Sequence, residues 1–475
     1  MPGVTAVLRR GGFAVRTTAA VWLATVVLAT ACLLLFPWWR GQLLMSFPGD
    51  RYPTPGGMAA TYLIGMAVGT GCGAALLVTG PAVIARFARD GERARKLVAA
   101  NRCAALVCAT GMPVFPFAKV FLVNPAGTAM AVPGAVFAVW VLHRLPRFRR
   151  IPLRFSLLAF GWGVTFAFTF GCLAQTAHSA LALRSLSDDW VPADLGAQPA
   201  SMVLAAPLWE ECAKAAGVLV VFHLLRRRFD GVLTGAVLGG MTGAGFNFAE
   251  TARFAMANFD QAAFHVWVRQ WAGGVLFGHV LFTGLFGAAV GLASRYGGWA
   301  GRVVCVAAGF ATAVLGHFFW NFASFNGGMP WHGGSQEAEV LLAMPLNYAT
   351  LSGPLLVVVG VALWLGARHE ARALRAVLLV ESATGLGAVT RAELPVLSHP
   401  RLRIAERLRA CQRYGVRGYV HFGRLRDRQL ELAATRWRLA RDPDPRPPAS
   451  ERALRTEISA LRQRCTGEGL TCSGG

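Results

Sequence analysis

The 475-residue sequence predicts an all-α protein: a polytopic transmembrane helical bundle of about ten spans, followed by a helical soluble tail at the C-terminus. Three observations lead there. Hydrophobic residues make up 55% of the chain and charged ones 15%, with a mean hydropathy of +0.46, a balance that ordinary soluble domains do not have. Apolar runs recur as far as Leu365, each long enough to cross a bilayer at about 1.5 Å of rise per residue. From Arg368 onward the composition turns basic, with a formal charge of about +10. The net charge of +23 would suggest nucleic acid in a soluble protein, but here the arginines lie between apolar runs, where they set topology. Nucleic acid is not an expected partner; the lipid bilayer is. The ten cysteines include no C-x-x-C pair, and Cys32, Cys72, Cys172 and Cys305 sit in apolar runs as small core residues. Cys465 and Cys472 fall in a tail assigned to the cytoplasm, where no lasting disulfide is expected.

Residues 1–17, with Arg9, Arg10 and Arg16, read as a cytoplasmic N-terminus, and the run Thr18–Phe36 as a retained anchor ending in the interfacial Trp38 and Trp39. A second span covers Met58–Ala85, and the basic loop Arg86–Lys96 follows it. The third covers Ala99–Val123, the fourth ends at Leu142, and the fifth, Phe155–Leu183, opens into an acidic stretch with Asp188 and Asp189. These five make an N-terminal transmembrane bundle over residues 18–200. The sixth (Met202–Leu225), seventh (Val232–Met256), eighth (Val268–Ala293) and ninth (Val303–Phe325) spans form a core over 201–325. Residues 326–367 supply an outer loop and the tenth span, Leu342–Leu365, and 368–475 the basic cytoplasmic tail. In that tail, helices are expected near 401–412 and 424–441, before the proline-rich break at 442–448. Arginine-rich connections follow the even-numbered spans, which puts both termini in the cytoplasm.

The sixth span is the one around which the others are organised. Glu210, Glu211 and Lys214 sit in its apolar middle, where each ionisable group costs about 2.5 kcal/mol or more. Lys214 follows Glu210 by four residues and Glu211 by three, so one ammonium reaches either carboxylate. The lysines of the chain are Lys96, Lys119 and Lys214 alone; arginine is used elsewhere, so a point-charge ammonium was kept at this depth. A purely structural Glu210–Lys214 ion pair would explain one carboxylate and leave the other unpaired. Other spans add polar groups. The seventh carries Gly235, Gly239 and Gly243, a face that lets a second helix approach closely, then Phe246 and Glu250 one turn apart. The eighth carries His279, and the ninth His317 and Asn321 one turn apart. Counted along each helix, these groups fall in the central-to-outer part of the bilayer, with Glu250 the shallowest. A single intramembrane histidine is ordinarily a helix-contact residue. Three carboxylates, two histidines, a lysine and an asparagine at matching depth suit water chemistry, in which a carboxylate takes a proton, a histidine or metal steadies an oxyanion and an asparagine orients a neighbour.

At Glu210-Glu211-x-x-Lys214, Phe246-x-x-x-Glu250, His279 and His317-x-x-x-Asn321 the sequence resembles the PrsW family of intramembrane proteases, and more distantly the CAAX prenyl endopeptidases. The CAAX-type pattern prefers an arginine after the paired glutamates and a histidine at position 250, so Lys214 and Glu250 favour the PrsW side. The resemblance covers about 201–325. It implies hydrolysis of a peptide bond in a membrane-anchored protein substrate, typically a regulator such as an anti-sigma factor, in a bacterial cytoplasmic membrane. It makes Glu210 and Glu211 the catalytic carboxylates, with Lys214 balancing their charge. Glu250, His279 and His317 would complete a water or metal site, and Asn321 would hold the oxyanion or His317. Zinc is a candidate cofactor through Glu250, His279 and His317, although there is no H-E-x-x-H and glutamate chemistry needs no metal. Two other classes stay open: a proton- or ion-coupled transporter, since intramembrane Glu and His chains also relay protons, and a silent scaffold. No internal repeat of the transporter type is present.

Overall fold

The computed structural model describes residues 91–102, 125–146, 151–172, 205–225, 231–257, 262–271, 274–295, 298–325, 329–441 and 447–467, with Ile84, Phe148, Val203 and 174–175. The expected first span, the second apart from Ile84, most of the third and the acidic stretch 185–200 lie outside the described residues. All regular structure among the described residues is helical. Helix α1 spans 91–102, so the connection expected as a basic loop is helical over its second half. Then come α2 (Pro125–Arg144) and α3 (Leu153–Cys172, with a π-helical turn at Gly163–Ala167). The core follows as α4 (Ala206–Leu225), α5 (Val232–Ala257), α6 (Ala262–Val266), α7 (Gly274–Phe277), α8 (His279–Ala293) and α9 (Trp299–Phe325).

Six described helices are long and apolar enough to cross a membrane: α2, α3, α5, α7 with α8, α9, and the helix from Glu339 onward. They fall where the fourth, fifth, seventh, eighth, ninth and tenth spans were expected. Helix α4 has span length too, with its three ionisable residues inside. The eighth span differs from expectation. Its described apolar helix runs from Gly274, Trp267–Trp271 is a π-helical turn, and Gly278 (φ −98°, ψ −122°) breaks the chain before His279. Apolar composition does not register such a break, because loops buried among helices are as apolar as the helices.

Helix α5 is the axis of the bundle, buried along nearly its whole length. Its small residues explain why. A Cβ at Gly235 would strike the carbonyl oxygen of Gly287, one at Gly239 that of Thr283, and one at Gly243 that of His279. Backbone-to-backbone approach along this seam maximises dispersion contact where no hydrophobic effect drives helices together. The seam fixes His279 against α5, three residues from Phe246. Around it, Leu238, Met241, Phe282 and Phe286 close the core.

The last membrane helix, α10, runs from Met344 to Ala383 without interruption, through the expected tail boundary at residue 368. Hydropathy falls near Gly366, but helical backbone continues because Arg368–Ala383 retains good helix formers. Beyond it lie α11 (Leu394–Ser398), α12 (Pro400–Arg441) and α13 (Pro447–Gly467). Gly415 at φ 67° lets the two arms of α12 fold back on one another, so Glu406 meets Arg426 at 2.9 Å. Burial pushes the Glu393 carboxyl upward, but the Arg426 guanidinium at 2.5 Å and the Thr390 N–H outweigh it and hold its pKa below the ordinary carboxylate range. Phe148, between α2 and α3, is buried with Leu374, Leu378, Leu397 and Leu430, which ties the basic tail to the membrane bundle.

Candidate active site

Four helices deliver the expected side chains to one buried place. Glu210, Glu211 and Lys214 come from α4, Glu250 from α5, His279 from the first position of α8 and His317 from α9, each 8% exposed or less. Lys214 is at the centre. Its Nζ donates to Glu211 Oε1 at 2.7 Å, lies 3.4 Å from Glu210 Oε2 and 2.9 Å from His279 Nδ1, and stands 3.8 Å above the Phe246 ring. The i, i+3 and i, i+4 spacing on one helix brings the ammonium to both carboxylates, and the aromatic face adds a cation–π contact in a desolvated setting.

The partners assign the histidine protons. An ammonium only donates, so His279 Nδ1 is the acceptor and its Nε2–H donates to Glu250 Oε2 at 2.6 Å. Glu250 is in turn bonded by Arg269. His317 Nδ1 donates to Glu211 Oε1 at 3.1 Å, which leaves Nε2 as a lone pair 3.9 Å from Glu210 Oε2. Glu211 also accepts from Thr283 Oγ1 at 3.3 Å. The two carboxylates of α4 thus differ. Glu211 is held by a lysine, a histidine and a hydroxyl, whereas Glu210 meets Lys214 at the longer distance of 3.4 Å.

Asn321 is half-buried on α9, one turn beyond His317. Glu250, shallowest by count, joins the cluster from behind His279. Thr283 and Arg269 were missed by sequence reasoning. Thr283 is one turn after His279, a signal that was available; Arg269 lies at the outer end of the expected eighth span, where an arginine reads as an interfacial anchor.

The described residues whose donor atoms lie within 4.8 Å of one another are Glu210, His279 and His317. Glu250 stands outside that group, although it was expected to share a metal with the two histidines. By residue type Glu210, His279 and His317 suit zinc, which takes nitrogen and oxygen ligands at about 2.0–2.2 Å. Lys214 does not fit with it. Both ring nitrogens of His279 are already engaged, Nδ1 by the fully buried Lys214 ammonium at 2.9 Å and Nε2 by Glu250 Oε2 at 2.6 Å, and the same ammonium lies 3.4 Å from Glu210 Oε2. With these partners in place His279 has no lone pair to offer, so the donor set and its lysine do not accept a metal together.

Apolar helices of span length that close around a buried carboxylate–histidine–lysine cluster define an integral-membrane helical protein. Residues 151–350 match the model of the PrsW family, described as intramembrane metalloproteases. This segment contains all seven expected site residues and is similar over its length to the PrsW family of intramembrane proteases. No curated protein and no solved structure matches the chain.

Proposed function

We propose that the protein is an endopeptidase of a bacterial cytoplasmic membrane, with both termini cytoplasmic. It hydrolyses a peptide bond in a membrane-anchored protein, of which an anti-sigma factor is the type suggested by the sequence. Glu210 is the general base. The observation that carries this reading is the asymmetry of the paired glutamates: Glu211 is saturated with donors, while Glu210 Oε2 faces the His317 Nε2 lone pair across 3.9 Å. A separation of that size suits one water bridging the two atoms. Glu210 takes a proton from this water and His317 Nε2 accepts its other hydrogen, which aims an oxygen lone pair at the scissile carbonyl.

The water oxygen bonds the carbonyl carbon, the carbonyl oxygen becomes an oxyanion steadied by Asn321, and the C–N bond breaks as Glu210 returns its proton to the leaving nitrogen. Glu211 holds His317 and Lys214 in place. Lys214 keeps the paired carboxylates compatible with burial and supports the His279 tautomer. The family description names a metal, but Lys214 and Glu250 already hold the two ring nitrogens of His279, and the hydrolysis needs only the carboxylate and histidine chemistry of this chain. The reading is tested in proteoliposomes with single-span substrates. The wild-type protein is expected to cut within or beside the span, with the position read by mass spectrometry of both fragments. Proton flux through the same vesicles without any fragment would replace the protease with a transporter.

A further inference from the structure

We infer that Arg269 is a positioning residue for the reaction, acting through Glu250 to hold His279 in its working tautomer; the inference rests on the proposed hydrolytic site. Arg269 belongs to the π-helical turn Trp267–Trp271, which precedes α7 and the break at Gly278 that leads into α8. Three contacts anchor that turn. Gln270, fully buried beneath Gly134 of α2, donates from Nε2 to Thr251 Oγ1 at 2.8 Å. Trp267 Nε1 donates to the Val340 carbonyl at 3.3 Å. The Arg269 guanidinium stacks 4.3 Å from the Phe254 ring while an Nη2–H bonds Glu250 Oε2.

The same carboxylate oxygen, Glu250 Oε2, therefore receives both Arg269 and His279 Nε2. Arg269 holds Glu250 on the side of the His279 ring away from Lys214. That restraint matters because His279 lies between a carboxylate at Nε2 and an ammonium at Nδ1. It also begins α8 directly after the break at Gly278, where no side-chain cap fixes the backbone. With Arg269 removed, Lys214 is a buried cation left to act on Glu250. A Glu250 carboxylate drawn toward Lys214 releases the His279 proton from Nε2, and Lys214 is in turn drawn from Glu211. A planar guanidinium stacked on an aromatic ring is suited to this restraint, because stacking fixes its plane and the plane fixes the direction of its N–H.

The test uses the full-length protein in liposomes, with Arg269→Gln and Arg269→Lys. Loss of a group that orients a histidine–carboxylate pair costs about 10- to 100-fold or more in rate. Arg269→Gln is therefore expected to lower kcat by about that factor while KM stays within about 2-fold, and Arg269→Lys to recover most of the rate by restoring a charged donor. Nitrogen-15 spectra of the labelled histidines, with His279 assigned by its absence in His279→Gln, supply a readout that does not need turnover. The wild type is expected to show one tautomer, protonated at Nε2, and Arg269→Gln a mixture. Wild-type kcat and an unchanged His279 spectrum in Arg269→Gln would overturn the inference. So would equal losses in both variants with a lowered thermal midpoint and an unchanged spectrum, since that pattern is one of folding alone. If the wild type cleaves nothing, the spectrum still decides: a mixed tautomer in Arg269→Gln sustains the role of Arg269 while the protease reading fails.

Discussion

Glu210→Gln is expected to fold, insert and lose cleavage by about 10³-fold or more, in line with the 10²- to 10⁴-fold that a positioned general base supplies. The substitution keeps the shape of the side chain and an oxygen that Lys214 can bond, but an amide takes no proton from water. Little stability should go with it. Glu210 lies 3.4 Å from the ammonium while Glu211 lies at 2.7 Å, so the closer carboxylate still balances Lys214 when Glu210 becomes neutral. The thermal midpoint of Glu210→Gln in detergent, measured beside its rate on a reconstituted single-span substrate, separates the two effects. A variant that keeps at least a tenth of the wild-type rate would remove Glu210 from the role of base.

Lys214→Met should damage both stability and rate. It leaves the buried Glu211 and Glu210 without their common cation, and removing one partner from a buried charge pair typically costs about 3–5 kcal/mol. His279 Nδ1 loses its donor and Glu211 its shortest contact, so cleavage falls with the midpoint. A second outcome follows from position. With the ammonium gone, Glu210, His279 and His317 surround an open gap, their donor atoms within 4.8 Å of one another. Zinc content measured on purified protein is expected to be near zero for wild type and to approach about one ion per chain in Lys214→Met at saturating zinc. Zinc bound stoichiometrically to the wild type would show that Lys214 leaves the gap.

The sequence exposed the site through cost. Charges in the middle of an apolar helix are expensive enough to be informative, and Glu210, Glu211, Lys214, His279 and His317 all announced themselves that way. The glycines of α5 were equally legible, because a repeat of small residues is how helices approach within a bilayer. What stayed hidden depended on backbone breaks and on contacts across helices. The eighth span looked continuous from Val268, since Gly278 does not look different from a glycine inside a membrane helix. Arg269 was consequently read as an end anchor rather than as the partner of Glu250. The metal expectation grouped Glu250 with the histidines because residue type was all that could be compared; side-chain direction brings Glu210 within 4.8 Å of them instead. In the tail, helices were expected over 401–412 and 424–441, and the reversal at Gly415 that packs those arms together depends on a positive φ that glycine permits but does not announce.

The most direct measurement is the cleavage rate of the wild-type protein in liposomes on a single-span substrate, before and after exhaustive treatment with a zinc chelator. With Lys214 on His279 Nδ1 and Glu250 on its Nε2, the rate should be unchanged by the chelator and lost in Glu210→Gln. Cleavage abolished by the chelator and restored by added zinc would contradict the account, because the metal would then have to displace Lys214 from the place on which the whole arrangement turns.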